Sequence, residues 1–364
     1  MAYTANLVKR GIHVEVAALS PRHDASEEEY QGTKLFRFSS SLRRLPATLL
    51  SLVRLMNQSS LDTVLLLSGG STGAGVVFLW FFRLTGRRTG VMFYGRDLLQ
   101  ARSGPAGRVS LALSILLADG VGTNSVYTWS LLPVRPRTPP VIVYPGVDPG
   151  QWSERPERVR DRSEPRILFV GRLVRRKGAD QLLTAFSRLR AEFPSARLDI
   201  VGDGPERRNL VDLAKRLGMG DAVTFHGALF GSRLRDVYAG ASFLVLPSRM
   251  SATDVEGFGT VFLEAGMAGI PSIGTRTGGI PEAVTDGVTG KLVRAEDLDE
   301  LQTAMRTLLD NPKEMARLGA NAREKAMKFS WDRSTDGVLK LLGYEGRKDP
   351  TLGPVAGREG RTKA

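Results

Sequence analysis

Short β-branched or leucine-rich runs alternate with amphipathic stretches twice along the 364 residues. Val14–Ala18, Val64–Leu67, Thr89–Tyr94, Gly120–Thr123 and Val141–Tyr144 form a first series of predicted strands. Arg166–Val170, Arg197–Val201, Val223–His226, Phe243–Pro247 and Pro271–Gly274 form a second. Helical patterns such as Asp180–Glu192 and Pro205–Leu217 lie between them. Continuously apolar strands joined by helices predict parallel sheets covered on both faces. The double occurrence predicts an α/β chain of two Rossmann-like, doubly wound domains, and the length suffices for two cores. The expected division is residues 1–147, a charged and proline-containing linker at 148–165, and a second domain at 166–330. A helix at 331–344 is expected to pack back on the first domain, ahead of a flexible Gly/Lys/Arg-rich tail at 345–364.

Ligands of such sheets bind at the carboxyl ends of the strands, where loops lead into helix N-termini. Composition narrows the chemistry. The chain has no cysteine, which removes disulfides, thiolate nucleophiles and cysteine-bound metal, and fits a reducing compartment. Its three histidines (His13, His23, His226) are scattered, so no metal is expected. The net charge of +13 is either a solvated arginine-rich surface or the mark of an anionic partner. No nucleic-acid-binding motif is present, which ranks a membrane surface above nucleic acid. Ala2–Arg10 lacks the basic-then-apolar order of a signal peptide. Thr63–Phe82 carries no charge, but its centre, Ser68-Gly69-Gly70-Ser71-Thr72-Gly73, reads as a loop between a strand and a helix at about Gly75–Leu84. Ser39–Met56 sets Arg43, Arg44 and Arg54 among leucines; it is either a helix lying on an anionic membrane or one packed on its domain.

Four loops after consecutive strands carry the chemistry. Phe169-Val170-Gly171-Arg172-Leu173-Val174-Arg175-Arg176-Lys177-Gly178 places Arg172 and Lys177 by a helix N-terminus. Such cations suit a diphosphate leaving group, although a solvated basic turn has the same composition. Val201-Gly202-Asp203-Gly204-Pro205 ends the next strand. Glu256-Gly257-Phe258-Gly259-Thr260-Val261-Phe262-Leu263-Glu264 sets two carboxylates eight positions apart around a glycine turn. Glu256 is expected in the loop, able to accept from sugar hydroxyls, and Glu264 two turns into the helix. Gly274-Thr275-Arg276-Thr277-Gly278-Gly279-Ile280-Pro281-Glu282 is a further glycine turn. Each alone is compatible with an ordinary turn; together they line one cleft.

From about Arg166 to Trp331 these motifs resemble glycosyltransferase family 4, and more loosely so do Asn124-Ser125 and Tyr144-Pro145-Gly146-Val147-Asp148. The resemblance implies a GT-B fold, two Rossmann-like domains facing a cleft, and a retaining, metal-independent glycosyltransferase without a cofactor. It assigns Arg172 and Lys177 to the diphosphate, Glu256 to the donor sugar and Glu264 to the ribose. Gly171 and the backbone of Gly257, Phe258, Gly259 and Thr260 would contact sugar and phosphate. Gly202, Gly204, Gly227 and Leu229 would border the base. The wording Asp254-Val255-Glu256-Gly257-Phe258-Gly259 is similar to that of phosphatidylinositol mannosyltransferases, which favours GDP-mannose over a UDP-sugar. A hydroxyl acceptor, lipid-linked or a growing polysaccharide, is expected; if Ser39–Met56 lies on an anionic membrane, a lipid-linked acceptor and a cytoplasmic site at the inner face of the membrane are favoured.

The chain departs from that pattern twice. Lys9-Arg10-Gly11-Ile12-His13 fits the family's turn before the second strand, so a first strand and its glycine loop are expected upstream or lost. Where relatives carry a histidine, this chain has Phe93-Tyr94-Gly95-Arg96-Asp97, leaving Tyr94, Arg96 and Asp97 as acceptor-side candidates. Tyr94 could equally be a core aromatic. The rival readings are a non-catalytic nucleotide-sugar-binding paralogue or partner subunit, and an epimerase or phosphorylase of the same fold. A short-chain dehydrogenase, suggested by Gly69, Gly73 and Gly75, lacks the Tyr-xxx-Lys pair downstream.

Overall fold

The structure is a computed structural model that describes residues 2–20, 26–30, 33–39, 63–67, 73–153 and 163–344. After a helix, Ala2–Lys9, come β1 (Glu15–Ser20), β2 (Ser26–Tyr30) and β3 (Thr33–Ser39). They form a three-stranded sheet in the order β1-β3-β2, with β1 parallel and β2 antiparallel to β3. β4 (Thr63–Leu67), β5 (Arg88–Phe93), β6 (Gly120–Thr123) and β7 (Val141–Ile142) make a parallel four-stranded sheet in sequential order. β8 (Arg166–Val170), β9 (Arg197–Val201), β10 (Val223–Gly227), β11 (Phe243–Leu246), β12 (Ser272–Thr275) and β13 (Gly290–Val293) make a parallel six-stranded sheet ordered β10-β9-β8-β11-β12-β13. The order reverses between β8 and β11, the topological switch point where open α/β sheets bind ligands.

Three sequence expectations are corrected. The strand expected at Val14–Ala18 belongs to the separate three-stranded sheet, not to the four-stranded one. β2 and β3 were not foreseen, because Ser-Glu-Glu-Glu-Tyr has little strand propensity and is specified by pairing with β3. β13 is a four-residue run hidden between turn residues. The Ser39–Met56 stretch beyond Ser39, the Ser68–Thr72 loop, residues 154–162 of the linker and the 345–364 tail lie outside the described residues.

The larger core belongs to the six-stranded sheet. The helix Ala179–Leu189 buries Ala179, Leu182, Leu183, Phe186 and Leu189, the i, i+3, i+4, i+7 stripe of an amphipathic helix. Each such large side chain contributes about 1.5–3 kcal/mol on burial. Capping follows the sequence: Asp297 accepts from Glu300 N at 2.8 Å to open Leu298–Asp310, and Asn311 opens Pro312–Met327. The last helix, Trp331–Leu341, leaves this half and lies on the four-stranded sheet. Leu341 packs over Gly120 and Gly122, and Ser334 Oγ donates to Tyr144 O at 2.6 Å. Val147 N donates to Phe329 O at 2.9 Å where the chain crosses back. Among the described residues no helix is long and apolar enough to cross a membrane.

Candidate functional site

The strand-end loops of the six-stranded sheet converge on one crevice. Gly171 N donates to Val201 O at 3.0 Å, and Gly202 N donates to Gly227 O at 2.7 Å, which ties three loops together. Gly202 has φ +137°, and a Cβ there would stand 1.9 Å from Gly171 O. No other residue allows β8 and β9 to end so close together.

After β8 the chain makes a tight turn, Arg175–Lys177, closed by Gly178 in the left-handed region. Arg249 pins this turn: its N donates to Arg176 O at 2.7 Å and its Nη1 to Arg175 O at 2.9 Å. Asp180 holds Arg249 in turn through a bidentate pair at 2.7 and 2.7 Å. Lys177 Nζ and Arg176 Nη1 both reach Glu256 Oε2, Arg176 at 2.9 Å. Glu256 is only 12% exposed. Burial alone would raise its pKa, yet Lys177 and Arg176 together hold the carboxyl below the ordinary value. Arg172 is exposed, and among the described residues its guanidinium makes no ion pair.

Glu264 has the opposite environment. It lies one turn, not two, into the helix that starts at Thr260, with Gly259 as N-cap. Its Oε2 accepts from the fully buried Tyr238 hydroxyl at 2.7 Å, and burial pushes its pKa up. The Gly257–Thr260 backbone forms the entry to this helix, while the Phe258 ring is core, packed on Tyr144 and Phe329 at centroid distances of 5.4 and 5.5 Å. Gly204 follows β9, and its N donates to Asp203 Oδ1 at 2.7 Å. Gly227 ends β10, and Leu229 is half-buried against the larger core.

The two halves meet at this crevice. A Cβ on Gly257 would stand 2.6 Å from Tyr94 O and 2.7 Å from Asn124 Nδ2. Glu282 accepts from Val126 N (2.8 Å), Tyr127 N (2.9 Å) and the Tyr144 hydroxyl (2.9 Å). The Tyr94 ring packs against the Met92, Val143, Val338 and Leu341 cluster, so its backbone, not its ring, approaches Gly257. Asp97 is buried, and its Oδ1 accepts from Tyr94 N and Leu98 N at 3.0 Å each, fixing the turn after β5. Arg96 beside it is exposed. Sequence reasoning missed Arg176, Tyr238 and Glu282. Arg176 and Glu282 stood inside quoted motifs without a role of their own, and Tyr238 and Glu282 act through partners 26 and 138 residues away. Among the described residues no group of three or more His, Asp or Glu side chains is placed to hold a metal ion.

Two parallel-sheet units meeting at a crevice of strand-end loops define a GT-B fold. Residues 150–325, a little under half of this chain, match the family model Glycosyl transferases group 1. The GDP-mannose-dependent alpha-(1-6)-phosphatidylinositol monomannoside mannosyltransferase of Mycolicibacterium smegmatis is 36% identical over 214 residues, 56% of each chain. The D-inositol 3-phosphate glycosyltransferase of Segniliparus rotundus is 34% identical over 208 residues, 54% of this chain and 45% of that one. This chain thus spans about half the length of the curated relatives it matches. Sucrose-phosphate synthase from Thermosynechococcus elongatus shares the fold with a TM-score of 0.76 at 21% identity, covering 94% of this chain and 91% of its own. HepE of Anabaena, solved with UDP and glucose, gives 0.74 at 19%, covering 94% and 95%.

Proposed function

We propose that this chain is a retaining, metal-independent glycosyltransferase that moves a hexose, mannose by preference, from a nucleoside diphosphate to a hydroxyl acceptor. The observation that carries the reading is the Lys177–Glu256 contact, a cation and a carboxylate held together where the glycine loops of a group 1 domain converge. In this reading Arg172 and Lys177 bind the diphosphate and stabilise the charge that grows on it as the anomeric bond breaks. Glu256 accepts from the sugar hydroxyls and Glu264 from the ribose. Gly171 and the Gly257–Thr260 backbone contact sugar and phosphate, and Gly202, Gly204, Gly227 and Leu229 border the base. The acceptor oxygen bonds to the anomeric carbon on the face the diphosphate leaves, and the acceptor proton passes to the leaving phosphate oxygen.

Mannose is favoured by the GDP-mannose-dependent relative at 36% identity. A lipid-linked acceptor at the inner face of the membrane is supported by the +13 charge and by exposed Trp80 and Leu84 on a helix without acidic residues. The Tyr94–Asp97 turn borders the acceptor side. The test is to incubate the chain with GDP-mannose and a phosphatidylinositol-type acceptor and to assign the product anomer by proton NMR. An α-mannoside supports the reading, and an inverted product refutes retention. Donor binding without transfer to any acceptor would favour the non-catalytic paralogue.

A further inference from the structure

Two cations converge on one carboxylate oxygen. Lys177 Nζ and Arg176 Nη1 both donate to Glu256 Oε2, and Arg176 Nε stands 3.2 Å from Asp254 Oδ2, an ion pair without a hydrogen bond. The side chains of Lys177, Arg176, Glu256 and Asp254 are 13%, 18%, 12% and 27% exposed, so water screens them weakly. Two positive and two negative charges balance. The Arg176 backbone is anchored separately through Arg249 and Asp180, which fixes where its guanidinium starts.

A donor diphosphate upsets this balance. The lysine ammonium is a point charge on a flexible stem and can turn to a new anion. Its departure leaves Glu256 and Asp254 sharing one cation. A buried carboxylate without a cation takes up a proton or moves toward water. A planar guanidinium already spanning both carboxylates prevents that.

We propose that Arg176 is a positioning residue that keeps Glu256 an oriented carboxylate while the donor diphosphate engages Lys177. The inference rests on the donor site proposed above. Among the described residues the charged groups that face Glu256 are Lys177 and Arg176, both from the turn after β8; Asp254, on Glu256's own loop, reaches it through Arg176.

The experiment begins without donor, following the Glu256 carboxyl by carbon-13 NMR and assigning it with Glu256→Gln. Lys177→Gln imitates the state in which Lys177 is engaged elsewhere. In that variant the Glu256 titration midpoint rises, since one of its two cations is gone, and adding Arg176→Gln raises it by about one further pH unit or more. Equal midpoints in Lys177→Gln and the double variant overturn the proposal. This arm needs no nucleotide sugar, so wild-type chain that binds none refutes the functional reading and leaves the Arg176 result standing. With donor and acceptor, Arg176→Gln loses about tenfold in kcat with donor Kd within about threefold, and the acid limb of its kcat profile moves up. Arg176→Lys restores the limb, which recovery of folding alone would not do. An Arg176→Gln chain whose donor affinity falls as far as that of Lys177→Gln overturns the assignment, because Arg176 would then be a phosphate cation itself.

Discussion

Glu256 and Glu264 stand eight positions apart, and the fold gives them opposite electrostatics. Glu256, with its pKa lowered, stabilises the fold above the ordinary carboxylate range, and that contribution is lost as pH falls through its folded value. Glu264, with its pKa raised, favours the fold only while protonated, so its contribution is lost as pH rises. We therefore expect Glu264→Gln to raise the Tm at pH 7 by about 1–3 °C, with the gain gone near pH 4. The same variant should bind donor roughly tenfold more weakly, the cost of one charged hydrogen bond. Thermal unfolding at the two pH values and titration with donor check both halves. Equal donor affinity in variant and wild type would remove Glu264 from the ribose. The carboxylate pair was legible in the sequence because its spacing and glycines are local. The Tyr238 hydroxyl that meets Glu264 was not, since a tyrosine in a helix gives no sign of which distant residue it faces.

The elements that place these residues are strand ends, and the glycine loops hold them close. Gly257 passes between Tyr94 and Asn124 of the other half. Gly257→Ala should cost about 1–3 kcal/mol in urea unfolding, because the Tyr94 backbone and the Asn124 side chain must both move. A loss no larger than that of an exposed glycine without a positive φ in the same protein, such as Gly220→Ala, would show that the halves do not press together there. The strands of the six-stranded sheet were largely legible: four-to-five-residue apolar runs bounded by glycine or proline leave little choice. β2 escaped because three consecutive glutamates read as a solvated turn, and β13 because Gly-Lys-Leu-Val is too short to show a period. The Tyr94 ring packs, half-buried, against an apolar cluster of its own half, a neighbourhood that its sequence surroundings do not show.

At the scale of the whole molecule, Glu282 joins the halves by accepting from two backbone N–H groups and the Tyr144 hydroxyl. Burial and the Glu282 carboxylate hold the Tyr144 hydroxyl well above its ordinary pKa, so this link stays protonated through neutral pH. Removing it by Glu282→Ala should raise the radius of gyration in solution scattering, and saturating donor should bring it back toward wild type. An unchanged radius would mean that other contacts fix the halves. The central claim, a nucleotide-sugar site built on the Lys177–Glu256 cluster, is tested most directly by calorimetric titration with GDP-mannose, UDP-glucose and UDP-N-acetylglucosamine beside Lys177→Ala. The account predicts binding of GDP-mannose in preference to the other two, lost in the variant. Binding unaffected by Lys177→Ala, or none to any of the three, would contradict it.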